Sequence, residues 1–374
     1  MRILQLITKF YRSGAESLVY TMSEELVKRK HNVFVVALTE NSYTEEEELI
    51  REELHRKGIK TFCLSDKNKF QKIATLKSFI KQNGVEVIHS HAYHPNLYGR
   101  VVSLLTKVPI LVTFHSASND WSKKKPIIFE KLLNKPYIKQ RLISVSKIPE
   151  NFYRQNVSVD KEIIIVPNGI PFDDIALQCT NSNLKKQLGL SENDIMLLNV
   201  GRITFQKGQL FLLKVMNKLK LMGNENIVLF IAGVEQDKKI VKELINYIDQ
   251  NNLKNHVKIL GSRKDIPDLL KSCDVFVFPS VAEAHPIALI EAAYFEKTIL
   301  ASSIQANINA FSKASVIFND MKDIDSVANE IENLTKNPAK YKQYAKNAKK
   351  EAMEKYDIKI TVSRYEKIYR EVLN

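Results

Sequence analysis

Short, continuous apolar blocks alternate along the chain with longer amphipathic stretches. RILQLI, NVFVVAL (Asn32 to Leu38), IKTFCL, VEVIHS, ILVTFH and RLISVS are rich in β-branched and aromatic residues, the pattern of strands covered on both faces. Between the first two, AESLVYTMSEELVKRK (Ala15 to Lys30) carries apolar residues at helical spacing and ends in basic residues, which favour a helix C-terminus. EEEELIREELHRKG (Glu45 to Gly58) follows as an acidic helix with Gly58 as its C-cap. A second series repeats the alternation: IMLLNVGR, a helix from Gly208 to Met222, IVLFIAG, a helix from Lys238 to Asn251, VKILGS, a short helix from Ile266 to Ser272, DVFVFPS (Asp274 to Ser280), and a helix from Pro286 to Phe295. Strand and helix in regular succession predict an α/β fold of two Rossmann-like, doubly wound parallel-sheet domains. VPNGIPFDD (Val166 to Asp174) is rich in turn residues and leads into polar CTNSN (Cys179 to Asn183), the predicted hinge. The expected divisions are therefore 1–178, 179–355 and a last amphipathic helix over 356–374.

Composition narrows the class. A chain of 374 residues with 44% hydrophobic and 26% charged positions is long enough for two cores. No run of apolar residues is long enough to span a bilayer, and the apolar run at the start is too short for a secretory signal; a cytoplasmic location is expected. Cys63, Cys179 and Cys273 are scattered, which suggests neither a disulfide framework nor a metal site. The net charge of +14 is spread over both halves. That argues against nucleic acid and leaves anionic substrates or an anionic membrane surface.

The chemistry concentrates after DVFVFPS. Glu283 and Glu291 stand eight apart in EAHPIALIE. The first falls in a strand-to-helix loop, the second a turn and a half into the helix, at the edge where open α/β sheets bind ligands. Helix N-terminal amides there can hold an anion; Pro286 has none, so Ile287 and Ala288 are the candidates. Carboxylates beside an anion site suit a molecule carrying both phosphate and hydroxyls. The pair also fits two solvated helix-face residues. In VGRITFQKG (Val200 to Gly208), Gly201 permits a tight turn, and Arg202 and Lys207 can neutralise a diphosphate without a metal; two solvated loop cations fit the spacing equally. HSHAYHPN (His89 to Asn96) clusters three histidines, with no carboxylate or cysteine close by to complete a metal site. His115 closes ILVTFH at a strand's carboxyl end, and Gly14 lies in the loop after the first strand. DWSKKKPIIFEKLLNKPYIKQR (Asp120 to Arg141) interleaves lysines with apolar and aromatic residues. It suits an anionic bilayer surface or a core-facing helix with a basic outer face.

The E-x7-E run and the G-R-x4-K-G segment resemble those of retaining glycosyltransferases of the GT-B fold, in particular glycosyltransferase family 4, and the resemblance runs along nearly the whole chain. It implies an N-terminal acceptor-binding domain and a C-terminal nucleotide-sugar-binding domain facing a cleft, with the last helix crossing back to the first domain. It implies that Arg202 and Lys207 bind the donor diphosphate, that Glu291 holds the ribose and that Glu283 and His115 contact the donor sugar. Gly14, Gly201, Ser146, His91, Ile287 and Ala288 fall at or near the family's substrate-binding positions. The implied enzyme needs no metal or other cofactor. It moves a sugar, most simply from a UDP-sugar, to a glycan acceptor that can be lipid-linked, in surface polysaccharide or capsule synthesis, with peripheral membrane contact through 120–141. The chain departs from the family at Ser13 and Ala284, where glycines are usual, and in SSIQANINAF (Ser302 to Phe311), which has no glycine. Those departures feed two other readings, a non-catalytic partner protein of the same fold and an epimerase or phosphorylase relative. The intact Arg202, Lys207, Glu283 and Glu291 argue against the first. No GxGxxG follows the first strand and no GxxxxGK[ST] occurs, which argues against dehydrogenases and P-loop enzymes.

Overall fold

The computed structural model describes residues 1–11, 14–39, 45–65, 67–116, 124–134, 138–181 and 183–374. The chain divides into two units: residues Met1–Ile170 with Asp357–Asn374, and residues Pro171–Tyr356.

In the first unit the strands are β1 (Arg2–Ile7), β2 (Asn32–Ala37), β3 (Lys60–Cys63), β4 (Val87–His91), β5 (Ile110–Phe114), β6 (Gln140–Ser144) and β7 (Ile163–Ile165). The helices between them are α1 (Gly14–Lys28), α2 (Glu45–Arg56), α3 (Lys69–Asn83), α4 (Tyr93–Thr106), α5 (Lys124–Leu133) and α6 (Lys147–Asn156). The second unit contains α7 (Phe172–Leu177), α8 (Leu184–Gln187), β8 (Ile195–Val200), α9 (Gln209–Leu221), β9 (Ile227–Ala232), α10 (Lys238–Gln250), β10 (Val257–Gly261), α11 (Ile266–Ser272), β11 (Val275–Phe278), α12 (Ile287–Tyr294), β12 (Thr298–Ser302), α13 (Gln305–Ala310), β13 (Ile317–Asn319), α14 (Ile324–Lys336) and α15 (Pro338–Tyr356). The last helix, α16 (Ile358–Leu373), belongs to the first unit.

The sheets run β3-β2-β1-β4-β5-β6-β7 and β10-β9-β8-β11-β12-β13, and the paired strands are parallel throughout. Strand order reverses between β1 and β4 in one unit and between β8 and β11 in the other. Each reversal opens a crevice at the strands' carboxyl ends. The apolar blocks are continuous because both faces are covered. Ile3 and Ile7 of β1 join the core under α1 and α16, while Leu4 and Leu6 join the opposite one. The edge strands β7 and β13, each three residues long, are not legible as strands in the sequence because neither is long enough to show a period.

The division between the units differs from the predicted hinge at Cys179 to Asn183. The chain leaves the first unit at Ile170 and returns at Asp357. Phe172 is the reason: it is buried and stacks on Tyr294, with ring centroids 4.4 Å apart, so the segment after Pro171 belongs to the second unit's packing. At the return, Asp357 caps α16 by accepting from the Lys359 N–H, and the Ile358 N–H donates to the Ile170 carbonyl at 3.0 Å.

Within the first unit Arg100 of α4 is fully buried. Its Nη1 donates to Glu130 Oε2 of α5 at 2.6 Å, its Nη2 to Oε1 of the same carboxylate, and its Nε to Gln140 Oε1 at 2.8 Å. Removing one partner of a buried pair strands the other charge. Arg100→Met is expected to cost about 3–5 kcal/mol in urea unfolding; a loss under about 1 kcal/mol would show the pair to be dispensable.

Candidate active site

In the second unit, β8 hands the chain to Gly201 and Arg202, then to a 3-10 turn over Phe205–Lys207 and to Gly208. Gly208 has φ +70°, and a Cβ there would lie 2.3 Å from the Pro279 carbonyl oxygen. Both the left-handed backbone and the close approach require glycine. The Val281 N–H donates to the Gln206 carbonyl at 2.8 Å, so the loops after β8 and β11 are fastened together. A Cβ on Gly201 would meet the Lys207 Cδ at 3.4 Å, so the missing side chain leaves room for the lysine stem.

The consequence is an ion pair. Lys207 Nζ lies 2.5 Å from Glu283 Oε1, with the two side chains only 18% and 10% exposed. The same ammonium sits 5.4 Å from the centre of the Phe278 ring, within reach of a cation–π attraction. Arg202 is exposed, and its Nη1 donates to Gln236 Oε1 at 2.7 Å. Glu291, on α12, is partly buried, and burial pushes its carboxyl from 4.5 up to about 7. No salt bridge or hydrogen bond engages that carboxyl among the described residues.

One expectation changes in detail. The Ile287 N–H already donates to the His285 carbonyl at 3.1 Å, which leaves Ala288 as the better anion donor. In the glycine-free stretch from Ser302 to Phe311, Ser302 ends β12 and Gln305–Ala310 forms α13. Asn307 Nδ2 donates to the Ser302 carbonyl and Oγ, each at 3.0 Å, and Ser302 Oγ donates to the Ser280 carbonyl at 2.6 Å. Buried side-chain amide and hydroxyl groups therefore hold this backbone rigid.

In the first unit, Gly14 begins α1 and is exposed; Ser13 lies outside the described residues. His91 and His115 stand at the ends of the adjacent strands β4 and β5. The sequence places His91 among the residues that face a ligand, and the structure corrects this. His91 is buried, its Nδ1 lies 3.0 Å from His115 Nε2, and its Nε2 lies 2.8 Å from Gln5 Oε1, so both ring nitrogens are engaged inside the unit. Burial and the neighbouring imidazoles push its protonation well below 6.5. Ser146 likewise serves its own backbone, because its hydroxyl caps α6 by accepting from the Ile148 N–H at 3.2 Å. His89, two residues before His91, bonds Tyr369 and Thr113. Among the described residues no three or more His, Cys, Asp or Glu side chains gather as a metal site would require.

Sequence reasoning missed Gln236, Gln5, Thr113 and Tyr369. Gln5 carried a signal: one amide in the middle of RILQLI, a strand whose other central positions are apolar. The others had none, since their partners lie far away in sequence.

The raised Glu291 pKa fixes a pH dependence. The folded state keeps the proton between about 4.5 and about 7 while the unfolded chain releases it, so this group makes stability fall as pH rises through that window. Glu291→Gln is expected to flatten the decline in melting temperature over that range. An identical slope in both proteins would contradict a buried carboxyl.

Comparison with known proteins follows the same two units. The profile of "Glycosyl transferases group 1" matches residues 180–351, and that of "Glycosyltransferase Family 4" matches residues 12–174. The chain is 28% identical to the UDP-Gal:alpha-D-GlcNAc-diphosphoundecaprenol alpha-1,3-galactosyltransferase of Escherichia coli, over 70% of each chain. It is 27% identical to the capsular polysaccharide biosynthesis glycosyltransferase CapH of Staphylococcus aureus, over 84% of this chain and 85% of CapH. Among solved structures, Anabaena HepE in complex with UDP superposes with a TM-score of 0.84 at 19% identity, covering 99% of this chain and 100% of HepE. A glycosyltransferase from Rickettsia africae superposes with a TM-score of 0.86 at 18% identity, covering 100% of this chain and 99% of that one. Two profiles that together span both units, on two parallel sheets with these strand orders, lead to one conclusion: the chain belongs to the group 1, family 4 glycosyltransferases and has their GT-B fold.

Proposed function

We propose that the chain is a retaining, metal-independent glycosyltransferase that moves a sugar from a UDP-sugar to a hydroxyl of a lipid-linked glycan in surface polysaccharide assembly. The observation that carries this reading is the Lys207–Glu283 pair at the β8/β11 crevice, with Arg202 beside Lys207 in the same loop. An ammonium already held in place needs little reorganisation when charge develops on a leaving diphosphate. The relatives supply the substrate class: the Escherichia coli enzyme is named for UDP-Gal and a diphosphoundecaprenol acceptor, and HepE was also solved with UDP-glucose.

In this reading the acceptor hydroxyl attacks the anomeric carbon on the face from which UDP departs. The bond from that carbon to the β-phosphate oxygen breaks, and the hydroxyl proton passes to the departing phosphate oxygen. Arg202 and Lys207 stabilise the diphosphate, Glu283 anchors Lys207 and accepts a hydroxyl of the sugar, and Glu291 accepts from the ribose. The Ala288 N–H and the backbone at Gly201 lie along the same edge; in the first unit, Gly14 and His115 are the residues that contact substrate. The first unit takes the acceptor and the second the nucleotide. Glu283 then acts twice, so its loss disturbs both sugar binding and the position of Lys207. Lys207→Ala is expected to lower turnover by about 10²–10³-fold, and UDP is expected to bind the wild-type chain in calorimetry. Near-normal turnover in the variant, or no UDP binding to the wild type, would overturn the assignment.

Peripheral membrane contact through 120–141 is part of the same proposal. Residues 120–123 and 135–137 lie outside the described residues. In α5, Ile127 and Leu133 pack on the core while Ile128, Phe129 and Leu132 are exposed. An exposed apolar triplet beside lysines supplies the two signals that reversible membrane binding uses. No described helix is long and apolar enough to cross a membrane. Co-sedimentation with phosphatidylglycerol vesicles is expected, and it should drop when Lys123, Lys124 and Lys125 become Glu; unchanged pelleting would refute this contact.

A further inference from the structure

The first unit contains a polar chain, inside its apolar core, that runs from α16 to the end of β5. Gln5 is fully buried on β1 and holds a partner on each side. Its Nε2 donates to the Tyr369 hydroxyl at 3.4 Å, and its Oε1 faces His91 Nε2 at 2.8 Å. An amide oxygen only accepts, so His91 carries its proton on Nε2. His91 is held neutral by burial, so its Nδ1 is an acceptor. The 3.0 Å contact to His115 Nε2 is then a bond donated by His115.

The other branch agrees. Tyr369 accepts from Gln5 and so gives its own proton to His89 Nδ1 at 2.7 Å. His89 in turn donates from Nε2 to Thr113 Oγ1 at 2.8 Å. His89 is also held neutral by burial. The rings are packed as well as bonded: His89 and His91 centroids are 4.1 Å apart, His91 and His115 5.3 Å, and Tyr365 lies 4.8 Å from His89. One amide thus sets the proton order in both directions.

We propose that Gln5 and Tyr369 are positioning residues for sugar transfer: acting through His91, they fix the proton of His115 on Nε2 and lock its ring at the end of β5, so that the C-terminal helix governs a histidine far earlier in the sequence. This rests on the reading of His115 as a donor-sugar contact. Neither residue touches substrate. Together they hold the Gln5 amide in the orientation that these bonds record; the opposite orientation would invert every proton in the chain.

The test is ring 15N chemical shifts in the full-length protein labelled at histidine, paired with steady-state kinetics. In the wild type, His91 and His115 are each expected to show a protonated Nε2. Tyr369→Phe and Gln5→Leu are expected to shift His115 toward a mixture of tautomers and to lower kcat by about tenfold, with the donor KM within about twofold. Ile368→Ala, which opens an apolar gap in the same helix, should lower the melting temperature yet leave the His115 shifts and kcat unchanged. The proposal is overturned if His115 keeps its shifts in both polar variants, if wild-type His91 is protonated on Nδ1, or if the shifts move without loss of kcat. A wild-type chain that transfers no sugar defeats the functional reading, and the ring shifts alone then decide whether the proton order exists.

Discussion

Lys207 and Glu283 are 76 positions apart in the chain and 2.5 Å apart in space, and the sheet is what brings them together. β8 and β11 are neighbours that run parallel, so both end at the same edge, and their outgoing loops must share it. Gly208 lets one loop lie directly on the Pro279 carbonyl, and the Val281 amide closes the other onto Gln206. With both loops held and Glu283 at its ammonium, the lysine side chain has little freedom left to lose. The neighbouring Glu291 depends on the same edge. It has a helix turn for support and a partly buried setting that opposes its ionisation.

Most of this architecture is readable from the residues because strands covered on both faces announce themselves as unbroken apolar blocks. Blocks such as NVFVVAL and DVFVFPS become β2 and β11 nearly as spelled. Arg202, Lys207, Glu283 and Glu291 are legible for a different reason: they stand in two short segments, G-R-x4-K-G and E-x7-E, whose residue types and spacing are recognisable without any partner. What escapes is long-range. The pairing of Lys207 with Glu283 rather than their separate roles, the inward turn of His91, and the unit boundary drawn by Phe172 on Tyr294 all depend on partners that local pattern does not name. The stretch without glycines looks like a defect and contains a short helix, because Asn307 and Ser302 bond the backbone there.

Both units bury polar groups in bonded sets: the second holds Asn307, Ser302 and Ser280 together, and the first pairs Arg100 with Glu130. The first also carries an uncharged set, an amide, two imidazoles, a threonine and a phenol within its sheet and last helix, each satisfied by another. A fully connected set of neutral donors and acceptors costs little and leaves few alternative arrangements. The imidazoles stay uncharged because burial and their mutual proximity oppose protonation.

The discontinuity of the first unit has a consequence for how the protein is made. Residues Pro171–Tyr356 form one unbroken segment, while the other unit needs Asp357–Asn374 to cover β1 and α1. Synthesis delivers residues in order, and domains ordinarily close as they emerge, earliest first. Here the order is inverted: the second unit is made from one unbroken segment, whereas the first, although α1 and α2 already cover part of that face, has an incomplete core until α16 has been made.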